Sequence, residues 1–371
     1  MTGRTSDPLP RTRRVIEEGR AAWLHLGAQV AVWHRGRPVA KLSFGERRPG
    51  EPMTDDTLML WLSAGKPLTV VAVAQQWERG RLDLDEPVAA LIPEFATGGK
   101  QAITPRHLLT HTAGLRLADG LPDELDWDAA VARICATPLE PGWRVGKQAG
   151  YSTQAAWFIL GELVRRLDGR PFVDCLREEA LRPAGMADSW VGLPPEVFRA
   201  RGPRIGTTYN TFAREFSPHP AGDTEAVCAR CRPGSGARGP LAELARLHRL
   251  LLAGGELDGR RLLRAETVAA LIRPQRIGMY DATFRHVVDF GLGVVLNSSR
   301  HGADTVPYGY GPAAGQGTFG HSGSQSSCAF ADPEHELVVA WACNGLPGEP
   351  RHQQRQRALN AAIYADLGIA G

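Results

Sequence analysis

An α+β fold is predicted for this chain: an antiparallel sheet built from both ends of the sequence, flanked by helices and facing a mostly helical lobe. Three observations predict it. Apolar runs with strand chemistry occur near residues 29–44, similar runs return after residue 289, and the long stretch between them carries helical periodicity.

The elements follow in order. An amphipathic helix is expected near residues 12–24. Gln29-Val30-Ala31-Val32-Trp33 alternates as a strand, His34-Arg35-Gly36-Arg37 supplies a turn, and a second strand runs from Val39 to Phe44, giving a hairpin. From Pro67 through Trp77 the residues read as a buried helix, with the proline tolerated because it falls in the first turn. Thr104 caps and Pro105 begins a short helix. Longer helices are expected over Thr153–Leu167, with Gly169 after it, and over Leu241–Leu252, with Gly254 after it. Residues 289–296, 326–330 and 337–342 read as three more strands, the last two joined by Asp332-Pro333-Glu334-His335, and a helix near 351–366 closes the chain. Residues 1–371 then form one catalytic domain: 1–66 and 271–371 the sheet lobe, 67–270 the mostly helical lobe, and the site in the cleft between them. Residues 203–238, rich in Gly, Pro, Arg and Thr, form a long loop without periodicity.

Composition excludes several classes of function. With 371 residues and 43% hydrophobic content the chain can bury a large core. Its net charge is only +3, and the arginines are scattered, Arg11-Thr12-Arg13-Arg14 being the longest concentration, which argues against nucleic-acid or membrane partners. No run approaches ~18 apolar residues, and residues 1–14 contain no apolar leader segment, so a cytoplasmic location is expected. Six cysteines suggest no disulfide framework; Cys228 and Cys231 form a lone C-x-x-C that reads as ordinary thiols ahead of a hairpin pair or a redox-sensitive loop. His107 and His111 lie four apart, but the glutamate of H-E-x-x-H is absent, and neither a metal nor a cofactor is expected.

Lysine usage points to chemistry. The 43 basic residues include only four lysines, and one of them, Lys66, stands three residues after Ser63 at a helix start. Residues so spaced share a helix face. Arginine cannot release its proton in a protein, whereas a buried lysine can be driven towards the neutral amine, so a serine that must give up its proton calls for lysine. Ser63 and Lys66 read as a nucleophile and its base. The backbone N–H of Ser63 is among the unpaired donors of the first helical turn, where negative charge is favoured.

Further motifs stand in a fixed order: Ser63-x-x-Lys66, then Gly150-Tyr151-Ser152-Thr153, then His321-Ser322-Gly323. The set resembles the serine β-lactamase-like family, which includes class C β-lactamases, D-alanyl-D-alanine carboxypeptidases, carboxylesterases and related acyltransferases, and which carries S-x-x-K, Y-x-N and K-T-G or H-x-G. Residues 103–115 and 252–263 look like its scaffold segments, and the resemblance spans roughly residues 15–365. It implies a β-lactamase/transpeptidase-like fold, a catalytic set Ser63, Lys66 and Tyr151, and an oxyanion hole from the backbone N–H groups of Ser63 and Ser324. Whether Lys66 or Tyr151 is the general base stays open, and the two can titrate as a unit.

Two departures bear on substrate. Thr153 replaces the usual asparagine, which puts β-lactam recognition in doubt more than acyl transfer, and His321 replaces a permanent cation, as in the esterase and amidase branches, or is simply a neutral cleft wall. Thr153, His321, Ser322, Gly323, Trp143 and Tyr209 are the candidate substrate contacts, with Phe212, Phe216 and Arg230 from the long loop beside them; Trp157 reads as helix core. The expected function is a serine acyl-enzyme that takes the acyl group of a small-molecule ester or amide onto Ser63 and passes it to water, an alcohol or an amine, with acyl transfer in biosynthesis slightly favoured. The alternatives are a β-lactamase or D-amino-acid peptidase, and a catalytically silent binding protein on the same scaffold.

Overall fold

A computed structural model of the chain describes residues 7–369 except 123 and 221; residues 1–6, on which part of the leader reading rests, lie outside them. Its centre is a sheet of seven strands: β1 (Gly27–His34), β2 (Arg37–Arg48), β3 (Glu51–Pro52), β4 (Val295–Leu296), β5 (Phe319–Gly323), β6 (Ser327–Asp332) and β7 (Leu337–Cys343). The spatial order is β4-β5-β6-β7-β1-β2-β3, with every neighbouring pair antiparallel. The two ends of the chain meet where β1 pairs with β7, Val30 opposite Trp341 and Val32 opposite Val339. The β1–β2 turn places Arg35 at φ 51° and Gly36 at φ 72°, the backbone hand that suits a tight hairpin.

Helices cover both faces of the sheet. The helix α6 (Leu241–Leu252) packs against β6, β7 and β1, with the Arg249 guanidinium 5.1 Å from the centre of the Trp33 ring. The C-terminal helix α7 (Glu349–Asp366) lies on the opposite face, where Trp341 Nε1 donates to Asn360 Oδ1 at 2.8 Å and Tyr364 stacks on Phe330; α1 (Pro10–Ala21) packs on α7. Double coverage explains why β1 is buried almost throughout instead of alternating. Its polar Gln29, 2% exposed, is satisfied inside the core: it donates to Thr54 O at 2.6 Å and Thr57 O at 3.1 Å and accepts from Leu241 N–H at 3.3 Å.

Two expectations for the C-terminal strands need correction. Of residues 289–296 only Val295–Leu296 joins the sheet, while Phe290 forms isolated bridges to Arg276 and Val295. Strand β5, which carries His321-Ser322-Gly323, was not anticipated. Its sequence Phe-Gly-His-Ser-Gly has almost no intrinsic strand preference, and its extended form is imposed by pairing to β4 on one side and β6 on the other.

The remaining helices that frame the site are α2 (Lys66–Glu78), α3 (Pro105–Leu109), α4 (Trp127–Ala136) and α5 (Ala155–Asp168). From Lys66 to Gln76 every residue of α2 is buried, as its unbroken apolar run requires. Helix α5 ends at Gly169 with φ 83°, and α3 starts at the expected Thr104 cap, which His107 completes as a capping box. Among the described residues no helix is long and apolar enough to cross a membrane.

Candidate active site

Ser63 lies in a single 3₁₀ turn, Leu62–Gly65, that runs directly into α2. The residue before it, Leu62, has φ 50°, a left-handed conformation that costs a non-glycine residue on the order of 1–3 kcal/mol and is held only by its surroundings. Those surroundings are β5. A Cβ added to Gly323 would lie 2.3 Å from Trp61 O and 3.1 Å from Leu62 Cβ, so glycine is required for the strand to come this close to the Ser63 turn. The third motif is thereby pressed against the first, and Ser324, the residue after Gly323, shares the cleft with Ser63.

Lys66 is fully buried. Its Nζ lies 2.9 Å from Ser63 Oγ, 3.0 Å from the Thr153 carbonyl and 2.6 Å from the Gly234 carbonyl. Burial lowers its pKa from 10.5 to about 7, against an opposing pull from the Asp119 carboxylate. In the neutral amine the two N–H bonds go to the two carbonyls, and the lone pair is left facing the serine hydroxyl. The threonine of the second motif therefore holds the lysine through its main chain and not through its hydroxyl.

Asp119 fixes that carbonyl, and the sequence reading missed it. Its carboxylate accepts from Ser152 Oγ at 2.8 Å and from the backbone N–H groups of Thr153, Gln154 and Ala155 at 2.8, 3.0 and 2.8 Å. It caps α5 from a distant loop, doing for the helix what the local Gln154 does not. A carboxylate 36 residues before the first residue of the helix it caps leaves no pattern within a local window.

Tyr151 is buried, and its phenol reaches the Ser63 side chain. Burial pushes its pKa well above the ordinary tyrosine value, with the Ser63 contact pulling the other way, so the phenol keeps its proton at neutral pH. Its N–H donates to Asp281 Oδ1 at 3.1 Å, its carbonyl accepts from Thr283 Oγ1 at 2.9 Å, and its ring packs between His111 and Phe284. His111 accepts the Ser152 N–H on Nδ1 at 3.1 Å and is held neutral by burial and by Arg276. It supports the tyrosine segment, while His107 turns to the Thr104 cap. Among the described residues no group of three or more His, Cys, Asp or Glu is placed to hold a metal.

His321 is 2% exposed, its Nδ1 lies 2.9 Å from the Ser322 carbonyl, and burial with the nearby Lys66 lowers its pKa to about 3. It is a neutral wall residue 5.9 Å, ring to ring, from Tyr151. Together with Ser63, Tyr151, Thr153, Ser322 and Ser324 it lines a cavity of about 400 Å³. The far wall comes from segments given no role beforehand: Thr283, Phe284, Pro307 and Tyr308, and Glu349 and Gln353 of α7. Tyr308 OH donates to Glu349, which joins the loop to the helix.

Other candidates lie elsewhere. Trp143 is not in the cleft: its Nε1 donates to Thr112 O at 3.1 Å and its ring lies under Gly114 and Gly150, which a Cβ on either glycine would strike. Tyr209 is buried in a small sheet with residues 345–346 and 217–218, beside Phe216, which stacks on Trp23; Phe212 is 72% exposed near Gly348. All three belong to the loop's outer end. Arg230 does reach the cleft, in a second arm that also contains Ser63. Trp157 is core, as expected, with its ring 5.2 Å from Lys66 Nζ. Cys228 and Cys231 are free thiols, and burial raises the pKa of Cys231 to about 12.

Sheet order, cleft and the serine–lysine pair place the chain among serine hydrolases of β-lactamase/transpeptidase-like fold. Comparison with known proteins gives the family: the model described as Beta-lactamase matches residues 12–363, and the chain belongs to that family of esterases, acyltransferases and β-lactamases. It is 27% identical to the "Esterase/beta-lactamase LipL" of Mycobacterium tuberculosis over 86% of this chain and 77% of that one. Among solved structures it resembles a penicillin-binding protein homologue from Caulobacter crescentus, at 32% identity, TM-score 0.78 and coverage of 98% and 99% of the two chains. It shares its fold with EstCE1, titled a hydrolase with promiscuous acyltransferase activity, at 20% identity, TM-score 0.79 and coverage of 96% and 98%.

Proposed function

We propose that the protein is a serine acyl-enzyme hydrolase or transacylase acting on an ester or amide of a small metabolite, with Ser63 carrying the acyl group. One observation carries the proposal: a fully buried lysine amine, its pKa lowered to about 7, lies 2.9 Å from the Ser63 hydroxyl with its other hydrogen-bonding directions taken by two carbonyls. Lys66 accepts the Ser63 proton as Oγ attacks the substrate carbonyl carbon. The oxyanion forms against the backbone N–H groups of Ser63 and Ser324, a role supported by both residues lining the cleft. When the intermediate collapses, the leaving oxygen or nitrogen takes a proton from the Tyr151 phenol, and the Lys66 ammonium returns one to Tyr151. Water, an alcohol or an amine then repeats the sequence in reverse on the acyl-Ser63.

Two features favour an ester or simple amide over a β-lactam. His321 is neutral, so the third motif offers no cation to a substrate carboxylate, and Thr153 brings no side-chain amide to the cleft. The names of the relatives, an esterase/β-lactamase and a hydrolase with promiscuous acyltransferase activity, accord with acyl chemistry on a serine and do not choose between an ester and a β-lactam. Intact-mass spectrometry after brief mixing with 4-nitrophenyl butanoate tests it. Wild type should show a butanoyl adduct that Ser63→Ala lacks, discharged faster by an added alcohol or amine if the enzyme is a transacylase. An equal adduct on Ser63→Ala would put the nucleophile elsewhere, and rapid turnover of a chromogenic cephalosporin would favour the β-lactamase instead.

A further inference from the structure

The two arms of the cleft meet at Ser63, Thr153 and Ser324 but differ in charge. The first arm, walled by Phe284, Val288 and Pro307, is lined by the carboxylate of Glu349 and by no lysine or arginine among the described residues. The second, of about 420 Å³, is lined by Arg230, Arg232 and Arg238, and by no aspartate or glutamate among the described residues.

The three arginines are not equivalent. Arg238 is 3% exposed and donates to the Gly222 carbonyl, and Arg232 donates to the Pro122 carbonyl at 3.5 Å. Arg230 is half-buried and meets no carboxylate among the described residues. Elsewhere Arg116 lies on Glu140, Arg166 on Glu162, Arg204 on Asp188 and Arg276 on Asp281; Arg230 differs from them in lining the same arm as Ser63. A guanidinium presents a planar fork that matches a carboxylate or phosphate. In an arm whose described lining holds Ser63 and no acid, that fork is open to an anionic group on the ligand.

We infer that the substrate or acceptor processed at Ser63 carries an anionic group, a carboxylate or a phosphate, that Arg230 receives in this second arm. The inference rests on Ser63 being the acyl carrier. Selectivity between matched esters tests it: 4-nitrophenyl hydrogen glutarate against 4-nitrophenyl pentanoate places the anion in the acyl part. The 4-carboxylate and 4-phosphate of phenyl butanoate, each against phenyl butanoate itself, place it in the alcohol part and separate carboxylate from phosphate. For at least one pair, the anionic-to-neutral ratio of kcat/KM should fall by more than about fivefold in Arg230→Gln, the scale of a partly exposed charge pair. It should fall further in Arg230→Glu and be largely retained in Arg230→Lys. In wild type about 0.5 M NaCl should shrink the same ratio. Because each ratio is taken within one preparation, loss of folded protein cancels. Ratios that all move by less than fivefold, while neutral esters still acylate Ser63, would overturn the inference and leave the acyl-enzyme reading standing. Failure of every ester to acylate Ser63 would overturn both.

Discussion

Lys66 and Lys100 are both fully buried, and each gives hydrogen bonds to two main-chain carbonyls, yet only one faces a hydroxyl. Lys100 Nζ bonds the carbonyls of Cys135 and Thr137, at 3.0 and 2.6 Å, where α4 ends. The negative end of a helix favours the ammonium form. Lys66 stands at the first turn of α2, where the same dipole disfavours a cation, and its third neighbour is Ser63 Oγ. Burial alone therefore does not make a lysine a base; the helix end it occupies and the third partner do. Lys100 closes a helix, and Lys66 is placed to take a proton.

The largest expected effect comes from breaking the first of these sites while sparing the second. Lys66→Arg keeps the charge and removes the proton acceptor, and should lower kcat/KM for a neutral ester by about a thousandfold; a loss under tenfold would remove Lys66 as the base. Next in size is pH. The neutral amine is the competent form, so kcat/KM should rise with pH, by about tenfold per unit, until it levels near the Lys66 value of about 7. A flat profile between pH 5.5 and 8 would contradict it. Asp119→Ala should cost about tenfold in kcat/KM with a smaller change in KM, because it frees the Thr153 carbonyl that holds Lys66, and Asp119→Asn should recover part of the loss.

Stability separates the two lysines most finely. Lys66 has a folded pKa below its unfolded value of 10.5. Between about pH 7 and 9.5 the unfolded chain therefore binds the extra proton, and stability should rise with pH by on the order of 1 kcal/mol per unit. Comparing urea midpoints of wild type and Lys66→Met across that window measures this slope, which the variant should lose. Lys100→Met strands two carbonyls at the end of α4 and should cost about 1–3 kcal/mol of stability, while kcat/KM stays within twofold of wild type.

What could be read from the sequence follows the range of the interactions involved. Ser63 and Lys66 are visible because a single helical turn couples them, and ordered motifs bring Tyr151 and His321 to the same cleft. The Thr104 cap, the hairpin turn at Arg35-Gly36 and helix α6 are equally local. Asp119, Tyr308 and Glu349 are not, since each acts on a partner remote in sequence. Strand β5 is hidden for a related reason: its neighbours, not its residues, make it a strand. Trp143 and Tyr209 were misplaced because proximity to a motif, or membership of a long loop, says nothing about which wall a side chain faces.

The pairing of β1 with β7 also constrains how the protein is made. The first hairpin leaves the ribosome early, but its partner edge, Leu337–Cys343, is roughly 300 residues behind it, tens of seconds at ordinary elongation rates. During that interval an apolar strand edge has no native neighbour, and Ser63 lacks the cleft wall that Ser322 and Ser324 complete. A nascent chain can therefore carry Ser63 and Lys66 for most of its synthesis before the cleft around them exists, and the waiting hairpin is the segment a chaperone would be expected to shield.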